Sequence, residues 1–323
     1  MKRVDRAATW CAAFGLVVAC EQASERNIAG VISASNTAKF SEWSEPVSLG
    51  PTINSAFNDQ QAMLSKDGLT LYFASNRPGT PGPGPNDIWV SQRDCHECPW
   101  SAPVNLGAPV NTSANDASPA LSRDGHFLFL LSNRPGSVSN DVWVAWRENV
   151  HDDFGWGTPV NLGPGVNTAG FEGGATYFEN DDGGIPELYY NHNPQPVGVG
   201  GDIYVSYQAA DGSFGPGTLV AELSSAFTDQ RPSIAHNGRT IYLHSDRTGS
   251  SGQDIWVSTR DDVLAPWSVP TNVGSPINTA AHEQFALIVA HGDTEWLYFS
   301  RNMATPPALD FDLFLSKRVR GQN

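Results

Sequence analysis

Between Trp43 and Arg318 the chain alternates short apolar runs with polar turns, and the alternation repeats over a long period. From Asp59 the order is QQAMLS, the turn Lys66-Asp67-Gly68, TLYFAS, a loop, and DIWVSQR. The same order returns from Asp116 (ASPALS, FLFLLS, DVWVAWR), Glu172 (GGATYF, ELYYNH, DIYVSYQ), Asp229 (QRPSIA, TIYLHS, DIWVSTR) and Glu283 (QFALIV, WLYFSR, DLFLSKR). Runs of this length, alternating and rich in aromatic and β-branched residues, predict strands. Asp-Gly and Asn-Gly between the first two runs predict tight hairpins, because glycine takes positive φ without a Cβ clash. The three runs are named A, B and C. A fourth segment, D, reads WSEPVSLG at 43–50, WSAPVNLG at 100–107, WGTPVNLG at 156–163, a weakened PGTLVAEL at 216–223 and WSVPTNVG at 267–274. Its proline predicts an edge strand, where a missing N–H leaves no ladder bond unmade.

Counting decides the topology. There are five D segments and five A-B-C sets, yet the chain opens on a D and closes on a C. If A-B-C-D forms one sheet, the last sheet lacks its outer strand and residues 43–50 are the spare. The expectation is an all-β, five-bladed propeller of four-stranded blades over 42–319, closed by that N-terminal strand beside Asp312–Arg318. Residues 320–323 form a tail. The patterns SKDGLTLYFASNRPG, SRDGHFLFLLSNRPG and DIWVSQR resemble the WD40-like (PD40-type) repeats of the TolB-like propeller family. The resemblance implies the fold; function it leaves open, because such propellers serve as scaffolds, glycan binders and enzymes.

Charge and compartment narrow the partners. The formal charge of -15 argues against nucleic acid, which needs a basic stripe. Lys2, Arg3 and Arg6 followed by the apolar stretch Ala7–Ala19 read as an export signal over 1–19, too short to span a bilayer. Val17-Val18-Ala19-Cys20 resembles a bacterial lipobox, which implies a lipidated Cys20, a tether over 20–41 and anchoring to the outer membrane, facing the periplasm or the surface. Cys95 and Cys98 read as a local disulfide, with His96 and Glu97 as the rarer metal-site alternative. The molecule reads as a monomer whose partner is an envelope protein or a glycan.

In a propeller the A strands line the central channel, and the D–A and B–C loops share one face. Asp59, Asp116, Glu172, Asp229 and Glu283 open the five A strands at spacings of 57, 56, 57 and 54 residues, predicting a carboxylate ring at the channel mouth. Arg77, Arg134, Arg247 and Arg301 end or follow four B strands on that face, and Asp87, Asp141, Asp202, Asp254 and Asp312 open the C strands. The architectural reading pairs each ring acid with an arginine whose remaining donors go to a C-strand aspartate. The functional reading takes the ring, the arginines and His192 as a ligand-binding set, with a hard cation such as Ca²⁺ as a candidate ligand for the crowded acids. Blade three breaks the repeat: Gly173-Gly174 would admit a ligand close to the backbone, and Asn191-His192-Asn193 replaces the arginine. Glu172 is therefore the acid expected to differ. A non-catalytic binding scaffold is the leading expectation. The alternative is a glycoside hydrolase or polysaccharide lyase using Glu172 with Asp116, Asp229 or Glu283, an analogy with five-bladed hydrolases that carry acids at the channel mouth.

Overall fold

The computed structural model describes residues 40–79, 86–181, 184–194, 200–304 and 309–321. The signal, Cys20 and nearly all of the tether lie outside the described residues. Strand β1 (Val47–Ser48) precedes blade one, which is β2 (Asp59–Leu64), β3 (Thr70–Ser75), β4 (Asp87–Gln92) and β5 (Val104–Asn105). Blade two is β6 (Asp116–Leu121), β7 (Phe127–Ser132), β8 (Asp141–Trp146) and β9 (Val160–Asn161). Blade three is β10 (Phe171–Phe178), β11 (Glu187–Asn193), β12 (Asp202–Tyr207) and β13 (Thr218–Leu219). Blade four is β14 (Asp229–Ile234), β15 (Thr240–Ser245), β16 (Asp254–Thr259) and β17 (Thr271–Asn272). Blade five is β18 (Glu283–His291), β19 (Thr294–Asn302) and β20 (Phe311–Val319), completed by β1. The result is a five-bladed propeller of antiparallel four-stranded sheets, with Val47 opposite Leu315 at the closure.

The outer strands are two residues long, shorter than the D segments suggest. Pro46, Pro103, Pro159 and Pro270 stand directly before four of them, and the ladder cannot run back through a residue without an N–H. The core is five wedges between blades rather than one mass. Tyr72, Ile88 and Val90 of blade one pack on Leu121, Leu128 and Leu130 of blade two, and Leu71 and Phe73 meet Tyr298 and Leu313 of blade five. An arginine closing the C strand stacks on the D-segment tryptophan in four blades: Arg93 on Trp100, Arg147 on Trp156, Arg260 on Trp267 and Arg318 on Trp43, at 4.3–4.4 Å to the ring. These tryptophans are packing residues. Cys95 and Cys98 are joined by a disulfide within the loop after blade one's C strand.

Candidate functional site in blade three

All five ring acids are fully buried. Blade two shows how. Asp116 accepts from the Thr112 N–H and hydroxyl at 2.6 and 2.7 Å, from the Ser132 hydroxyl at 2.6 Å and from Arg134 Nη2 at 2.6 Å. Arg134 also donates to the Val110 carbonyl at 2.6 Å and lies over Trp143. Asp59 with Arg77, Asp229 with Arg247 and Glu283 with Arg301 repeat this clasp, each also taking the hydroxyl four residues upstream, from Ser55, Ser225 and Thr279. The guanidinium therefore ties the D–A loop to the B strand. Among the described residues no ion pair joins a clasp guanidinium to Asp141, Asp254 or Asp312, which corrects that part of the expected pairing. Asp141 and Asp254 instead accept from the D-strand amides of Asn161 and Asn272, and Asp87 from Asn105.

Their lone pairs so engaged, these acids form no open ring. Asp116, Asp229 and Glu283 are each buried against an arginine and a hydroxyl, separated in their own clasps rather than converging on a shared Ca²⁺. Among the described residues no three His, Cys, Asp or Glu side chains converge to hold a metal.

Glu172 is different. It accepts from Thr168 and from His192 Nδ1, the latter at 2.7 Å, while its Oε2 has no partner among the described residues. The ladder registers Glu172 opposite His192 and His192 opposite Asp202, so an imidazole stands between two carboxylates across three adjacent strands. Gly170 makes room for it: a Cβ there would lie 2.7 Å from His192 Cε1. Tyr204 meets the ring edge-on at 5.1 Å. With Nδ1 engaged by Glu172, the His192 side chain keeps 17% of its surface exposed. Asp202 is half-buried and has lost its D-strand amide, because Leu219 stands where Asn105, Asn161 and Asn272 stand in other blades. Burial, and then the negative charge of Asp229, push its carboxyl above the usual range, against a smaller opposing pull from His192. Asp141 is raised too, by burial and, more weakly, by the nearness of Glu172. Asp312 is the second C-strand acid without an asparagine, since Ser48 replaces it, and burial with Asp310 and Asp59 pushes it up to about 6.

The Gly-Gly pair has another explanation than ligand approach. A Cβ on Gly173 would fall 2.3 Å from Leu131, and one on Gly174 2.2 Å from the Arg231 side chain. The group that approaches the backbone there is the protein's own arginine. His282, beside Glu283, accepts the Gln253 N–H at 3.0 Å and serves the loop.

No protein-family model and no curated protein matches the sequence. Solved structures do match the fold. A thermostable family-43 glycoside hydrolase aligns with a TM-score of 0.57 at 13% identity over 86% of this chain and 98% of that chain. An alpha-L-arabinofuranosidase from Lactobacillus brevis aligns at 0.57 and 14% over 83% and 92%. An endo-arabinase from Bacteroides thetaiotaomicron aligns at 0.59 and 13% over 86% and 98%. These neighbours share the five-bladed fold and are themselves glycoside hydrolases, a finding that speaks against the expected non-catalytic scaffold and directs attention to its alternative.

Proposed function

We propose that this chain is a carbohydrate-active enzyme that hydrolyses glycosidic bonds at the blade-three edge. The observation that carries the proposal is the row Glu172, His192, Asp202, the one place where the arginine clasp gives way to an imidazole between two carboxylates. Glycoside hydrolysis needs an acid to protonate the leaving oxygen and a base to activate water. Asp202 has the attributes of the acid, being reachable and inclined to keep its proton. His192 has those of the base: buried Glu172 fixes Nδ1 as the donor and leaves Nε2 to accept a proton from water. Glu172 is then a positioning residue that also stabilises the imidazolium. The fold's likeness to an arabinofuranosidase and an endo-arabinase supports a plant-type polysaccharide as substrate.

The test is a panel of arabinan, xylan and galactan assayed for new reducing ends, with Asp202→Asn and His192→Ala alongside. Turnover lost in both variants supports the assignment, and turnover retained in both removes it. Polygalacturonate added to the panel tests elimination: an unsaturated uronate product from it would assign the same base to a lyase reaction rather than to hydrolysis.

A further inference from the structure

The central channel holds a second feature, independent of the blade-three edge. Each inner strand carries a bulge at the same level, with one residue in the left-handed region: Gln61 (φ 62°), Ser118 (54°), Gly174 (57°), Arg231 (53°) and Phe285 (55°). Four of the five are not glycine, and a Phe at positive φ is an outlier held by its surroundings. The bulges turn these side chains inward to make a floor. Arg231 crosses from blade four over Gly174 of blade three and donates to Ser118 Oγ of blade two, its guanidinium 5.1 Å from the Phe285 ring. The Gln61 carbonyl oxygen accepts the Ser118 N–H at 2.7 Å. From this floor a cavity of about 290 Å³ runs to the A–B hairpins, and no residue upstream of the floor in any inner strand lines it.

The charges in this cavity are unlike those of the whole chain. In a protein of formal charge -15, its cations are Arg231, Lys66 and Arg123, and its one carboxylate, Glu295, is paired with Arg318. Arg123 is paired with Asp181 at the rim. Arg231 has no carboxylate partner among the described residues, only the Ser118 hydroxyl and an aromatic face. His244, whose Nδ1 accepts the Phe285 N–H at the floor, is held neutral by burial and by Arg231 itself. Between floor and rim the wall includes Met63, Ile234, Leu287 and Val289.

We propose that the channel is a binding site for a small organic carboxylate with an apolar body, which enters from the A–B hairpin face and pairs with Arg231. A guanidinium presents planar donors that match a carboxylate, and in a water-poor cavity such a bond is stronger than in solution. The volume sits at the small end of ligand pockets, which suits a body of a few carbons rather than an oligosaccharide. Lys66 at the rim favours entry of an anion.

Hexanoate, hexan-1-ol and chloride are the probes, each titrated against the full chain by calorimetry and by thermal unfolding. Hexanoate is expected to bind saturably and raise Tm with concentration, as a ligand of the native state must. The alcohol, which lacks the charge, and chloride, which lacks the body, should each bind roughly tenfold more weakly or worse. Arg231→Met should abolish the preference for hexanoate over hexanol. If that variant does not fold, Ile234→Trp, which fills the cavity and leaves Arg231 in place, should remove hexanoate binding instead. Equal binding of acid and alcohol, undiminished hexanoate binding in a folded Arg231→Met or Ile234→Trp protein, or no saturable hexanoate binding at all would each overturn the proposal.

Discussion

Blades two and three share a topology and a ring acid, and differ in what neutralises it. In blade two Asp116 is enclosed by a guanidinium, two hydroxyls and a backbone N–H, and its C-strand aspartate is held by Asn161. In blade three the guanidinium is an imidazole, the D-strand asparagine is Leu219, and two carboxylates flank one titratable ring. The first arrangement hydrogen-bonds both carboxylate oxygens of a buried acid, and so it is architecture. The second sets an imidazole between two carboxylates without a guanidinium, and it is there that the proposed chemistry is placed. In this repeat protein the proposed site lies where one unit drops the contacts that hold its neighbours.

The largest effect should come from breaking a clasp. Arg134→Met leaves Asp116 buried and unpaired, and is expected to cost about 3–5 kcal/mol by urea unfolding at neutral pH. His192→Leu should cost far less, about 1–2 kcal/mol, because it removes one hydrogen bond to Glu172 and leaves that from the Thr168 hydroxyl in place. Equal losses would erase the distinction between the blades. Gly174→Ala comes next, at about 2–3 kcal/mol, since the new Cβ meets Arg231 at 2.2 Å and the backbone φ is positive. Adding Arg231→Ala should recover the steric part, and a double variant no better than the single would show that the arginine does not cross there.

The pH dependence sharpens the comparison further. Burial, with Arg231 and His282 nearby, pushes His244 down to about 3, so the native state holds it neutral while the unfolded chain protonates it near 6.5. Its contribution is present above pH 6.5 and is lost as pH falls toward 3, by up to about 1.4 kcal/mol per pH unit. His244→Asn should flatten that slope between pH 6 and 4. The smallest change is Asp312→Asn. A carboxyl raised to about 6 destabilises the fold once ionised, a penalty that grows as pH rises through 3.8 to 6 and disappears below. The amide should therefore gain about 1 kcal/mol at pH 7.5, discounted for its partial exposure, and nothing at pH 3.5.

The repeat made the fold legible, down to the closing strand, because A-B-C-D order and the spare WSEPVSLG follow from side-chain alternation and turn chemistry. It also made Glu172 stand out, through the missing arginine. Other features were illegible for a physical reason. Burial of the ring acids depends on hydroxyls four residues upstream, which look like ordinary loop residues. Asp202 was hidden because its signal is an absence in another strand, the replacement of a D-segment asparagine by Leu219. The bulge that turns Arg231 across the channel leaves no mark in a period-2 pattern, since it is the place where that pattern slips by one.

The central claim rests on Asp202 and His192, and the most direct test compares them with their counterparts in an ordinary blade. The initial rate of reducing-end release from arabinan would be measured for the native protein, Asp202→Asn, His192→Ala and the blade-four control Asp254→Asn, from pH 4 to 9. The account predicts a bell-shaped native profile whose alkaline limb vanishes with Asp202→Asn, losses of roughly 10²–10⁴-fold in the two blade-three variants, and little change in the folded control. Loss of the same size in Asp254→Asn, or native rates in both blade-three variants, would contradict it.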